Sequence, residues 1–173
     1  MKAKSFWLQN KVRQLTSTGM NELKTAPESI TIRVYGLLID EKRILIADEF
    51  QQGIRFSKFP GGGLELGEGM NDCLIREWRE ELHQTIDIVE HFYTTDFFQI
   101  SAFNPRQQVI SIYFLVRPVD EPINQVSEVP FDFSIKKGET QSFRWVALNN
   151  FSEKDVTFPI DKLVAKMIFE KFT

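Results

Sequence analysis

Along residues 29–39, SITIRVYGLLI, apolar and polar positions alternate well enough to predict a strand with Ile32, Val34 and Leu38 on one side. A polar turn at Asp40–Lys42 and a second strand from Arg43 to about Ala47 follow, so the two read as a hairpin. The stretch FPGGGLELGEG, 59–69, is too rich in glycine for a regular element and predicts a shaped loop. From Met70 to about His83 the period changes. Leu74, Trp78 and Leu82 recur every four residues with Ile75 beside them, the stripe of an amphipathic helix capped by Gly69, with Asn71 and Asp72 in its first turn. Residues 88–100 and 108–119 are aromatic-rich and predict two antiparallel strands. Pro118, Pro122 and Pro130 punctuate a long connection across 118–141. SFRWVAL, 142–148, predicts another strand. A last helix begins near Pro159, with Ile160, Leu163, Val164, Met167, Ile168 and Phe172 on its apolar face and Phe169 off it. The order of strands, helix, strands, helix is that of an α+β fold or a mixed α/β/α sandwich.

Composition narrows the setting. The chain has 173 residues, 42% hydrophobic and 26% charged, enough for one domain with a sizeable core. It has no apolar run near the ~18 residues that span a membrane. The single cysteine, Cys73, excludes an internal disulfide and suits a reducing, cytoplasmic compartment. Residues 1–19 carry Lys2, Lys4, Lys11 and Arg13 and no acid, which leaves 17 basic against 24 acidic side chains in the rest, about −7. A body that acidic is a poor binder of nucleic acid, where phosphate contacts dominate affinity. Residues 1–24 are expected to be a loosely held extension and 25–173 the domain.

The acidic helix raises a physical question. Glu77, Glu80 and Glu81 lie within two helical turns beside the apolar stripe, and like charges at spacings of three and four cost roughly 0.2–0.5 kcal/mol per pair. Alone, three glutamates on a helix are usually a solvated face. The neighbouring glycine segment reverses that reading. Gly62, five residues, Glu68, seven residues, then Arg76-Glu77-Trp78-Arg79-Glu80-Glu81 resembles the Nudix box, and six such matches by chance are on the order of one in ten million per window. The box covers residues 62–84, and the flanking elements agree with a Nudix-type α/β/α sandwich with a mixed sheet.

The resemblance implies hydrolysis of the pyrophosphate linkage in a nucleoside diphosphate derivative, of the nucleoside triphosphate or nucleotide sugar type. Mg²⁺ is the implied cofactor, with Mn²⁺ as the alternative. Clustered carboxylates that repel one another when empty become favourable around such a hard cation. By the family pattern Glu80 and Glu81 are metal ligands, and Glu77 is a further ligand or the base that activates water. Glu68 and Arg76 form a structural ion pair. The backbone of Gly61 and Gly62 approaches metal or substrate, and Arg55 and Lys58 are phosphate contacts or plain surface charges. Where some family enzymes carry an extra carboxylate after a later strand, this chain has Arg117, so Glu139 is the expected replacement ligand, ahead of Asp120, Glu121 and Glu128.

Two box positions depart from the pattern: His83 and Gln84 stand where glycine and an apolar residue are usual. The helix is therefore expected to end differently, with Ile86 supplying the apolar contact. Cys73 reads as a packing residue and His91 as a strand or surface residue. The strand aromatics Phe92, Tyr93, Phe97, Phe98 and Phe103 read as core or dimer contacts before base-stacking groups. The competing functions are a catalytically silent binding or regulatory module, opposed by the intact glutamates, and an isopentenyl diphosphate isomerase-like enzyme, opposed by the absence of His and Cys ahead of the box. The expected partner is a small nucleotide, with no membrane and no stable nucleic-acid binding, and a homodimer as an option.

Overall fold

A computed structural model describes residues 26–119, 126–135 and 140–172. The expected extension, residues 1–24, lies outside them, as do Glu139, Asp120 and Glu121. Among the described residues, seven strands and two helices alternate as an α+β fold: β1 (Ser29–Asp40), β2 (Arg43–Gln51), β3 (Ile54–Lys58), β4 (Gly61–Gly63), α1 (Met70–Leu82), β5 (Ile86–Thr94), β6 (Gln107–Pro118), β7 (Gln141–Ala147) and α2 (Pro159–Phe172). The strands form one sheet ordered β3-β2-β1-β6-β5, with β4 added against β1 and β7 against β2. No described helix is long and apolar enough to cross a membrane.

Two tight hairpins set the register of its first half. In the first, Asp40 pairs with Arg43 across Glu41 and Lys42, whose φ of 44° and 64° give the twist that suits a right-handed strand pair. The second, Gln51 to Ile54 across Gln52 (φ 50°) and Gly53 (φ 81°), creates a strand absent from the sequence reading. That reading ended β2 near Ala47 because Asp48 and Glu49 follow. In fact β2 runs on, because the fully buried Asp48 is satisfied inside. It accepts from Ser57 Oγ at 2.6 Å, Arg144 Nε at 2.8 Å and the Phe131 N–H at 3.0 Å.

The glycine segment also differs from the expected loop. Gly61, Gly62 and Gly63 pair as β4 with Tyr35, Val34 and Arg33, and Leu64 N–H continues to the Ile32 carbonyl at 2.9 Å. Helix α1 packs beside it through buried Cys73, Leu74 and Trp78. A Cβ at Gly36 would stand 2.8 Å from the Trp78 indole nitrogen, so only glycine lets that ring approach β1. The helix ends at Leu82. His83 adopts the left-handed conformation (φ 52°, ψ 30°) that the sequence reading reserved for glycine, and the Gln84 N–H returns to the Trp78 carbonyl at 3.2 Å. Ile86 is buried.

The strand expected over 88–100 stops at Thr94, and Ile100 keeps only an isolated bridge to Gln108. Asp96, a poor strand former, stands two residues on. Residues 26–31 together with 95–110 fall in one compact unit, in which Glu28 and Ser29 N–H both meet the Arg106 carbonyl. Residues 32–94 and 111–173 form the other, which holds the box. On α2, Ile160, Val164, Ala165 and Ile168 are buried, whereas Phe172 is exposed at the end of the expected stripe. Asp161 is also buried there and accepts from Tyr113 Oη at 2.6 Å.

Burial raises the Asp161 carboxyl to about 6 from an ordinary 3.8, against the opposing pull of the Tyr113 bond, Lys58 and Arg33. Between those values the folded chain holds a proton that the unfolded chain has released, so stability falls as pH rises from about 4 through 6. Asp161→Asn keeps an acceptor for Tyr113 and removes the titration. It should be more stable than the parent by on the order of 1–3 kcal/mol at pH 7, with the gap closing toward pH 4, as read by urea melts across that range.

Candidate active site

Every residue of the candidate site belongs to the unit formed by 32–94 and 111–173. Helix α1 carries Arg76, Glu77, Glu80 and Glu81 and sets Arg76 and Glu77 toward β4 and the segment after it. The Arg76 guanidinium sits among the acids. It donates to Glu68 at 2.8 and 3.1 Å, to Glu77 at 3.0 Å, to the more exposed Glu80 at 3.3 Å and to the Gly63 carbonyl at 3.1 Å. The Arg76 bond and the Glu65 N–H hold the Glu68 carboxyl down at about 2. The repulsion within REWREE is thus relieved partly by a cation of the same helix. Cys73 is buried, its thiol 3.4 Å from the Gly63 carbonyl and pushed by burial up to about 12, which makes it a packing group.

Glu81 turns the other way, into the sheet. There β2 offers Glu49 and β3 offers Lys58, whose ammonium is 2.8 Å from the Glu49 carboxylate, bonds the Gly61 carbonyl, and lies 5.6 Å from the centre of the Tyr35 ring. Gln141 of β7 donates to Glu49 at 3.1 Å. Burial raises the Glu81 carboxyl and Glu49 adds to this, while Lys58 opposes it. Burial pulls the Lys58 ammonium down, but Glu49, Tyr35 and Glu81 more than offset it, and the net shift is upward.

Several expectations change here. Lys58 is 2% exposed and committed to Glu49 and Gly61, so it is an internal counter-charge, not a surface phosphate contact. Arg55 is three residues away on β3 and so faces the opposite side of the sheet, where it is exposed and stacks on Phe131 and Phe133 at 5.6 and 5.9 Å. Arg117 pairs with Asp87 at 2.9 Å on the surface. His91 is exposed and within 2.8 Å of the Thr94 hydroxyl. The three box glutamates are not gathered: among the described residues no three His, Cys, Asp or Glu side chains converge tightly enough to hold a metal ion. Arg76 draws Glu77 and Glu80 to one side, and the interior cation draws Glu81 to the other.

The donors nevertheless suit a hard divalent cation. Glu81 Oε2 is closed off from solvent with no hydrogen-bond partner, a costly state that a cation would relieve. The Gly61 carbonyl already binds a positive group. The Glu77 carboxylate rests directly against Gly62, where a Cβ would stand 2.2 Å from it, so the backbone forms a cradle for that side chain. Residues that would hold the ion are therefore Glu77, Glu80, Glu81 and the Gly61 carbonyl, with Glu139 outside the described residues. The sequence reading missed Glu49, Gln141, Arg33 and Tyr35. Glu49 left one signal, an acid that with Asp48 stands between the apolar run Ile44–Ala47 and Phe50.

A model of the NUDIX domain matches residues 30–167. Among similar solved structures, MutT from work on Aliivibrio salmonicida and Vibrio cholerae is 22% identical, with a TM-score of 0.55 over 83% of this chain and 99% of that one. MutT from Methanosarcina mazei Go1 is 19% identical, with a TM-score of 0.59 over 83% and 94%. A UDP-X diphosphatase is 16% identical, with a TM-score of 0.53 over 91% and 71%. At these identities the likeness shows the fold. Comparison by sequence with curated proteins found no match.

The Gly62 cradle generates a test. The group a new Cβ would strike is the flexible end of Glu77, which swings aside cheaply. Gly62→Ala should shift the thermal midpoint by no more than about 2–3 °C yet lower turnover at least ~10-fold by displacing a site carboxylate. Thermal melts paired with steady-state rates on one preparation check both halves.

Proposed function

This chain belongs to the NUDIX domain family, whose members are pyrophosphohydrolases, and from that premise we propose that it hydrolyses the pyrophosphate linkage of a nucleoside diphosphate derivative with Mg²⁺. The observation that carries the proposal is Glu81, with one carboxylate oxygen buried and unpaired in the field of the Lys58 ammonium that bonds the Gly61 carbonyl, on the same helix as Glu77 and Glu80. Mg²⁺, with Mn²⁺ as a substitute, supplies Lewis-acid charge stabilisation and an acidified water when bound.

In this reading Glu80 and Glu81 are ligands, and Glu77 is either a further ligand or the base that takes a proton from the attacking water. Water adds to one phosphorus, the bridging P–O bond breaks, and the two phosphates leave as separate products. Glu68 holds Arg76, which positions Glu77 and Glu80 by direct bonds. Lys58 keeps Glu49, and through it Gln141, in place behind Glu81. Glu139, if it serves as an outside ligand, does so from the connection before β7. The functional unit is taken as residues 25–173, in the cytoplasm.

The substrate type is supported only to the level of small nucleotides. One similar structure is called a UDP-X diphosphatase, and the two substrate types weighed for this chain are nucleoside triphosphates and nucleotide sugars. A nucleotide panel with Mg²⁺, its products identified by mass spectrometry, separates the two. Monophosphate plus pyrophosphate indicates the first, and monophosphate plus sugar phosphate the second. No hydrolysis of any member would reject the proposal.

Glu80→Gln and Glu81→Gln should each lower turnover at least ~100-fold at limiting Mg²⁺, because a lost ligand removes charge from the metal site. The fold should persist, since Glu80 is exposed and Gln at position 81 keeps the shape of a part-buried carboxylate that burial already disfavours. Near-parental turnover in both variants would remove these residues from the mechanism.

A further inference from the structure

Among the described residues of the unit that holds the box, five cations are buried or half-buried, and four have a carboxylate in direct contact. Lys58 has Glu49, Arg76 has Glu68, Arg144 has Asp48, and Arg43 has Asp40. Arg33 is the exception. It stands on β1 directly across from Gly63, and the pleat turns its side chain away from the Glu77 cradle at Val34–Gly62 and toward the face it shares with Tyr35, where Lys58 and Glu49 lie. Its Nε donates to Tyr35 Oη at 2.6 Å, and its guanidinium carbon lies 5.7 Å from the centre of the same ring. Tyr35 is itself nearly buried and stacked on Tyr113 at 5.2 Å, so this bond anchors the guanidinium to the core.

That single bond uses one of five N–H groups. Among the described residues no carboxylate lies within ion-pair distance of Arg33, and its terminal nitrogens have no hydrogen-bond partner. Glu49 and Glu77 act on it only through their fields. Taking a guanidinium partly out of water without a bonded anion is costly. The same fork, held rigid at one edge and open at the other, matches two oxygens of a phosphate. A second anion must then arrive from solution, and it must fit beside the box glutamates.

We infer that Arg33 is a substrate-binding residue whose free fork clamps a phosphate of the scissile pyrophosphate, with Tyr35 as the residue that positions it. The inference rests on the hydrolase reading for the identity of the anion, but its geometry is that of a phosphate site in its own right. Arg33 occupies neither the box nor the phosphate positions expected from sequence, Arg55 and Lys58, and it takes over the role that those two residues do not fill.

The test uses the full chain and a non-hydrolysable probe, methylenediphosphonate with Mg²⁺, followed by titration calorimetry. Arg33→Met should weaken binding of the probe at least ~10-fold. Arg33→Lys, which keeps the charge and loses the fork, should fall between the two. Mg²⁺ alone should bind Arg33→Met as tightly as the parent or more so, since a nearby positive charge is gone, and the thermal midpoint should hold or rise. Probe affinity in Arg33→Met equal to that of the parent, or no binding of the probe by the parent, would overturn the inference. A drop in thermal midpoint with unchanged probe affinity would also overturn it and mark Arg33 as a brace for Tyr35. The outcome is separable from that of the nucleotide panel. A parent that hydrolyses a nucleotide while Arg33→Met leaves KM unchanged sinks the clamp alone. A parent that hydrolyses nothing, with probe binding still lost in Arg33→Met, sinks the hydrolase reading alone.

Discussion

Helix α1 lies against bare backbone, and the site depends on that close approach. The Trp78 ring fills the place where a side chain at position 36 would stand, and the Glu77 carboxylate fills the place of one at position 62. Interiors pack to near-crystalline density, so a single added carbon at either position displaces one of these groups. The apolar contact carries the energy of docking, and the polar contact, two turns of strand pairing away along β1 and β4, inherits its accuracy. A helix held off by ordinary side chains would present the same three glutamates several ångströms from the glycine carbonyls.

Charge is organised around the same contact. Seven charged groups crowd the region between α1, β4 and the ends of β2 and β3, and they divide into two sets. Arg76 with Glu68, Glu77 and Glu80 forms the outer one, bathed on one side by solvent. Lys58 with Glu49, next to Glu81, forms the inner one, centred on a buried ammonium. In the outer set the cation itself is part-exposed, and its pairs, the one to exposed Glu80 above all, act mainly as positioning devices. In the inner set removal of one partner strands the other in a poorly solvated place, which is far more costly. The inner arrangement is therefore the more rigid, and it holds the acid with the unpaired oxygen.

Much of this was legible in the chain. The i, i+4 stripe of Leu74, Trp78 and Leu82 specifies a helix wherever it docks, and the spacing from Gly62 through Glu68 to Arg76 identifies the family without any coordinates. These are local or fixed-interval signals, set by the geometry of 3.6 residues per turn and by motif spacing. The β2–β3 hairpin was hidden because Asp48 and Glu49 look like the end of a strand, and their burial is made tolerable by Ser57, Arg144 and Lys58, which lie 9 to 96 positions away in sequence. His83 was misjudged for a related reason: the cost of its left-handed backbone is offset by a helix end that closes on the Trp78 carbonyl.

Residue identity and interval thus settle the elements, the box and its chemistry, because each is encoded within a window of about 25 residues. Which cation meets which carboxylate is a different kind of question. Lys58 and Arg55 are alike in sequence, three residues apart on one strand, and the pleat sends one into the site and the other to the far face beside Phe131. Arg33, with nothing to distinguish it in SITIRVYGLLI, becomes the one half-buried cation of its unit without an acid in contact, among the described residues, because β4 folds back along β1 and brings Gly63 opposite it. Long-range pairing fixes these side-chain partners, and an electrostatic contact of a few ångströms has no signature in a chain whose partners lie tens of residues apart.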